Sequence, residues 1–223
     1  MSKEKRGLYI CLEGLKGAGK TTLFEYLVER LDREGVDFAK VSPTRASGTT
    51  NLLERMVKSY PALKDNRLMR VFLYAQRSNH ASRTADWDRE LIIGERSLIT
   101  SYATKWSKSP LLRWLNLSII DVLENQIHPP DYVIYIDVPH DVLRTRIDTR
   151  DKERDIDDTA ERLRDNEVAY RRMMNGGSRS RIDKVRWLTV SGIGEREHVA
   201  ESVYALIMQK LQEENIKGLG ESV

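Results

Sequence analysis

Short, predominantly apolar runs alternate along this chain with longer stretches in which apolar residues return every three or four positions. The short runs lie near 8–13, 36–41, 90–94, 131–137 and 185–190. Their length predicts strands, and the run at 131–137 is apolar enough to be buried on both faces. The periodic stretches predict helices near 20–34, 48–59, 65–87, 111–127, 139–150, 157–174 and 195–213. The plainest strand is Asp131-Tyr-Val-Ile-Tyr-Ile-Asp137, which comes after the stop signal His128-Pro-Pro. Strands and helices in alternation predict an α/β fold, a five-stranded parallel sheet flanked by helices with right-handed crossovers. Ligands then gather at the carboxyl ends of the strands. Asn175-Gly-Gly-Ser breaks the pattern before the last strand, and Lys217 onward is expected to fray. No repeat, low-complexity tract or linker interrupts residues 1–223, which are expected to form one domain.

The first strand changes what this pattern means. It runs into Gly14, and Gly14-Leu15-Lys16-Gly17-Ala18-Gly19-Lys20-Thr21 fits G-x-x-x-x-G-K-S/T. Leu23, Phe24, Leu27, Val28 and Leu31 come next at helical spacing, so the motif has the strand, loop and helix context it requires. In such a loop the glycines let backbone N–H groups turn toward an anion, and the helix N-terminus adds partial positive charge. Lys20 is positioned for the outer phosphates of a nucleoside triphosphate, and the Thr21 hydroxyl for Mg²⁺. The fold expected is therefore that of P-loop NTPases.

Composition mainly excludes. The hydrophobic fraction is 40% against 32% charged residues, and no apolar run nears the ~20 residues that span a bilayer. Met1 to Arg6 lead directly into a strand, so no signal peptide is expected. The lone cysteine, Cys11, lies within a buried strand, which excludes an internal disulfide and suits a reducing cytoplasm. Net charge is +3, too small to argue for nucleic acid. Arginines crowd residues 144–172 but are interleaved with acids, as on a solvated helix face. His80, His128, His140 and His198 are too scattered for a metal cage.

Polar groups stand at the strand ends: Glu13 after strand one, Ser42-Pro-Thr-Arg45 after strand two, Glu95-Arg96-Ser97 after strand three. Together with the loop they resemble thymidylate kinases. Glu13 to Thr22 is similar to the opening of that family, and Thr44-Arg-Ala-Ser-Gly-Thr49 to its second-strand loop. Leu73-Tyr-Ala-Gln-Arg77 with His80 is similar to its third helix. Glu95-Arg96 falls on its Asp-Arg pair, with Thr100-Ser101 and Ala103 at matching spacing beyond it. Tyr135-Ile-Asp-Val138 with Arg146 resembles its fourth strand and base-stacking arginine; the likeness covers residues 8–172.

The resemblance implies ATP-dependent transfer to a deoxynucleoside monophosphate, dTMP to dTDP, in nucleotide biosynthesis. It implies Mg²⁺ as cofactor, a cytoplasmic homodimer, and no nucleic-acid or membrane partner. The donor would occupy Gly14 through Thr22, with Arg146 stacked on adenine. Arg45 and Arg96 would clamp the acceptor phosphate, since a guanidinium meets phosphate oxygens two at a time. Glu13, Leu73, Arg77 and Ser101 would complete the acceptor site, Arg77 at the base edge. Glu95 would orient Arg96 or hold Mg²⁺ through water. Arg150 and Arg154 would supply cations from a mobile basic lid, about residues 147–160.

Some positions depart from that family. Lys16 replaces a loop carboxylate near the acceptor sugar, Leu73 an aromatic on the base, Glu95 an Asp, and Ser97 a Tyr or His. Glu95-Arg96-Ser97 also resembles deoxyribonucleoside kinases, in which Glu13 would act as general base on a 5′-hydroxyl. Arg45 with Gly48-Thr49 favours a phosphate acceptor instead. A P-loop switch protein is a third reading, but no water-positioning residue is evident for it. Trp106 and Trp114, with Leu111, Leu112, Leu115, Ile119, Ile120 and Leu123, are expected to form one apolar helix face against the sheet or a second subunit.

Overall fold

The computed structural model describes residues 6–44, 59–60, 67–149, 159–176 and 179–220. Its sheet comprises β1 (Leu8–Gly14), β2 (Phe38–Val41), β3 (Leu91–Glu95), β4 (Tyr132–Asp137) and β5 (Arg186–Ser191). All neighbours are parallel, in the order β2-β3-β1-β4-β5. The flanking helices are α1 (Lys20–Arg33), α2 (Arg67–Thr84), α3 (Leu98–Thr104), α4 (Pro110–Leu123), α5 (His140–Asp148), α6 (Ala160–Met174) and α7 (Arg196–Gly220).

Strand β1 is the centre of the core, with Tyr9, Ile10, Cys11 and Leu12 wholly inaccessible to solvent. Helices cover both sheet faces, so its residues need no polar alternation. Burying each large aliphatic side chain contributes about 1.5–3 kcal/mol. The start of β1 is registered on β4 by Asp131, which accepts from the Tyr9 amide at 2.9 Å and from both Arg6 Nη atoms at 2.8 and 2.9 Å. On the other side β3 carries Gly94 because a Cβ there would lie 2.8 Å from the Tyr9 ring.

The crossover from β1 runs to β2 at one edge, whereas that from β3 passes over β1 to β4. The two connections leave in opposite directions, which opens a crevice at the carboxyl ends of β1 and β3.

Three boundaries differ from the sequence pattern. Helix α3 is absent from that pattern: Ser97 caps it by accepting from the Ile99 amide at 3.2 Å, and 7 residues are too few to show a period. The predicted 111–127 helix ends at Leu123, and Trp106 lies in the connection before Pro110 rather than on the α4 face. There Trp106 lies 5.0 Å from the Arg113 guanidinium. The expected fraying from Lys217 is also corrected. Helix α7 continues to Gly220, with Lys217 Nζ donating to Glu214 at 2.8 Å. Residues 48–58 of the predicted second helix lie outside the described residues.

Candidate active site

At the carboxyl end of β1 the chain turns through Gly14, whose φ is 146° and whose added Cβ would sit 2.8 Å from the Ile136 carbonyl. Only glycine fits both constraints. Leu15 and Ala18 are buried and anchor the loop, closed by the Ala18 amide donating to the Leu15 carbonyl at 3.1 Å. Gly19, left-handed at φ 87°, precedes α1 and brings no side chain to cap it. The first amides of α1 are thus turned toward an anion. Lys20 is 4% exposed, and its Nζ donates to the Gly14 and Leu15 carbonyls at 2.7 and 2.8 Å. Lys16 and Thr22 are half-buried on the loop's rim.

The two hard-oxygen groups assigned to a metal meet: the Thr21 hydroxyl donates to Glu95 Oε1. Mg²⁺ commonly takes one or two protein oxygens beside phosphate oxygens and water, and a hydroxyl with a carboxylate fits that demand. Among the described residues no group of three or more His, Cys, Asp or Glu could hold a metal without such help.

Next in sequence, Arg96 has φ 67°, the one positive value among described non-glycine residues. Such backbone strain clusters at functional sites. Arg96 is half-buried at the same strand end as the loop.

Glu13 corrects the sequence expectation. It is wholly buried, and each oxygen accepts two hydrogen bonds. Ser97 N and Oγ reach Oε1 at 2.8 Å, while Thr100 Oγ1 and Tyr170 OH reach Oε2 at 2.7 and 2.8 Å. So enclosed, the carboxylate presents no exposed oxygen to a substrate or to a 5′-hydroxyl in this structure. Burial, then the Glu13 charge beside it, hold the Tyr170 phenol well above its usual range, so it stays a donor. The sequence pattern does not assign Tyr170 or Thr100 to this role. A tyrosine on the apolar face of Leu163, Ala169 and Met173 is the available signal, because a buried phenol needs a partner.

On α2, Leu73 and Arg77 share a face at i,i+4 spacing, and Arg77 Nη1 donates to the Thr44 carbonyl at 3.3 Å. Arg77 therefore reaches the segment that leads from β2 toward Arg45. Phe72, one position from Leu73, is half-exposed. Ser101 lies half-buried on α3, with its hydroxyl hydrogen-bonded to Glu124 at the end of α4. On α5, Arg146 donates to the Gly192 carbonyl at 2.9 Å, placing it against the turn after β5. Arg45, Arg150 and Arg154 lie outside the described residues.

Comparison with known proteins bears on the family. Residues 12–187 match the family model for thymidylate kinase. A probable thymidylate kinase of Pyrococcus abyssi is 24% identical over 214 residues, covering 92% of this chain and 98% of the relative. A thymidylate kinase of Pseudomonas fluorescens is 35% identical over 156 residues, 65% of this chain and 70% of the relative. One from Vesicomyosocius okutanii is 27% identical over 182 residues, 74% and 83% of the two chains.

Proposed function

The chain belongs to the thymidylate kinase family, and from that premise we propose that it moves the γ-phosphoryl group of ATP onto dTMP, giving ADP and dTDP. It is a nucleoside monophosphate kinase, a phosphotransferase. The observation that carries the reading is the meeting of two strand ends: the phosphate loop with Lys20 and Thr21 at β1, and Glu95 with the strained Arg96 at β3.

An oxygen of the acceptor's phosphate attacks the γ-phosphorus as the bond to the β–γ bridging oxygen breaks. The acceptor is already anionic, so no general base is needed, and the enclosure of Glu13 fits that economy. What the reaction needs is alignment of two repelling anions and positive charge around a loose transition state. Loop amides and the start of α1 cradle the donor phosphates, and Lys20 turns from its carbonyl partners to the outer ones. Arg96, with Arg45, holds the acceptor phosphate in line. Leu73, Arg77 and Ser101 receive the acceptor's base and sugar, and Arg146 the adenine. Arg150 and Arg154 add charge from the donor side. Thr21 and Glu95 would hold Mg²⁺, which when bound neutralises charge between the β- and γ-phosphates.

The apolar face of α4 supports a homodimer. Leu111, Trp114, Leu115, Ile119 and Val122 are all exposed on it. A patch of this kind is covered more cheaply by a second copy than by water.

The testing experiment offers ATP with dTMP, thymidine, and the other common monophosphates in parallel, with Mg²⁺. Transfer to dTMP is expected. Transfer confined to thymidine would return the nucleoside-kinase reading, and hydrolysis indifferent to every acceptor would return the switch.

A further inference from the structure

Arg96 is held on both sides by consecutive residues of β1. Its own amide donates to the Leu12 carbonyl at 3.1 Å, and the next amide, that of Ser97, donates to Glu13 Oε1 at 2.8 Å. Between those two bonds lies the positive φ of 67°. A non-glycine residue in that region costs of order 1–3 kcal/mol and persists only where its surroundings over-determine it. Here the second of the two restraints is a carboxylate rather than a fixed carbonyl.

That carboxylate has its own anchors. Ser97 and Thr100 come from the start of α3, whereas Tyr170 comes from α6, 157 positions along the chain from Glu13. Four donors in a dry environment bond a carboxylate firmly, and removing one leaves the others to re-aim it. Helix α6 starts at Ala160, capped by the Thr159 hydroxyl accepting from the Arg162 amide at 3.2 Å, so it takes up the chain directly after the 150–158 segment that carries Arg150 and Arg154. The Arg96 charge is also felt at the Tyr170 phenol, which places the two within electrostatic reach.

We propose that Glu13 is a positioning residue for Arg96 and that Tyr170 ties α6 to it. The setting of the acceptor-side arginine thereby depends on the placement of the helix that follows the segment carrying Arg150 and Arg154. The proposal rests on Arg96 holding the acceptor phosphate. Its consequence is that a phenol with no access to substrate tunes acceptor kinetics. A purely cohesive role for the cluster would change stability and nothing else.

Three substitutions in the full chain separate these. Tyr170→Phe removes one donor with little change of volume. Thr100→Val removes another without touching the α3 cap, whereas Ser97→Ala would disturb the Ile99 amide as well. Each of Tyr170→Phe and Thr100→Val is expected to lower kcat/KM for dTMP about tenfold while KM for ATP stays within twofold. Thr100→Ser, which keeps the hydroxyl, should restore wild-type kinetics. The double variant should fall short of a hundredfold loss, because both act through one carboxylate. Should Tyr170→Phe not fold, the Thr100 pair decides alone. A lower melting temperature with unchanged dTMP kinetics in the folded variants would overturn the proposal, as would equal losses toward ATP and dTMP. Arg96→Ala is the control. If it leaves dTMP kinetics intact, the acceptor role of Arg96 fails and takes the proposal with it. If it damages them while Tyr170→Phe and Thr100→Val do not, the proposal alone fails.

Discussion

Arg146 on α5 donates to the carbonyl of Gly192 at 2.9 Å, so the residue assigned to the adenine is anchored to the turn after β5. That turn is packed without slack. A Cβ at Gly192 would lie 2.5 Å from Val138 Cγ2 and 2.7 Å from Ile136 Cγ2. Gly192→Ala is therefore expected to overpack the site at about 1–3 kcal/mol. The turn should shift, raising KM for ATP while KM for dTMP holds. Unchanged ATP binding, measured by titration, would separate Arg146 from the donor base.

Lys20 is the loop's cation, buried against the Gly14 and Leu15 carbonyls. Lys20→Ala should lower kcat by roughly 10² to 10³, the usual loss when one preorganised charge-stabilising group is removed from a site. Steady-state rates measured on variant protein with wild-type circular dichroism check this.

The Thr21 hydroxyl bonded to Glu95 predicts how the enzyme depends on Mg²⁺. Thr21→Ala should raise the Mg²⁺ concentration for half-maximal activity by about tenfold or more. Chelation should abolish transfer, and excess Mg²⁺ should restore it. An Mg²⁺ titration unchanged by the substitution would move the metal elsewhere.

Glu124, at the end of α4, is 3% exposed, and burial holds its carboxyl above the ordinary range despite Ser101, Ser78 and the charges of Arg181 and Lys105. A folded-state pKa raised above the unfolded value of about 4.3 means the group contributes stability at acid pH and loses it as pH rises through the folded value. Glu124→Gln should thus be close to neutral near pH 4 and stabilising at pH 7. The gain expected is about 2–4 °C in melting temperature, as about 1 kcal/mol produces in a domain of this size. Parallel thermal melts at the two pH values decide it.

Leu111 and Val122 are each 72% exposed and Trp114 is 60% exposed, all on α4. If that face joins two copies, Leu111→Glu with Val122→Glu should convert a dimer to a monomer, read by light scattering on a sizing column. A wild-type monomer at micromolar concentration would remove the homodimer.

Periodicity and turn chemistry made much of this protein legible in one dimension. The strands lie within one or two residues of their expected places, most plainly β1, β3 and β4, which are buried on both faces and therefore continuously apolar, whereas β5 at the edge is largely exposed. The loop from Gly14 to Thr21 could be read because its glycines answer to local backbone geometry. Local signals stop there. Helix α3 is a single capped stretch of 7 residues held by Glu13 and by packing, so it carried no period to detect. Glu13, by its place at a strand end, reads as an acceptor-site residue, or as a general base if the acceptor is a nucleoside. Its actual work depends on which hydroxyls the fold brings to it, and Tyr170 arrives from 157 residues away. Which groups bind a phosphate loop is written in neighbouring residues. Whether a strand-end carboxylate faces solvent or four donors is settled only when distant helices close over it, because burial and hydrogen-bond partnership belong to the packed chain.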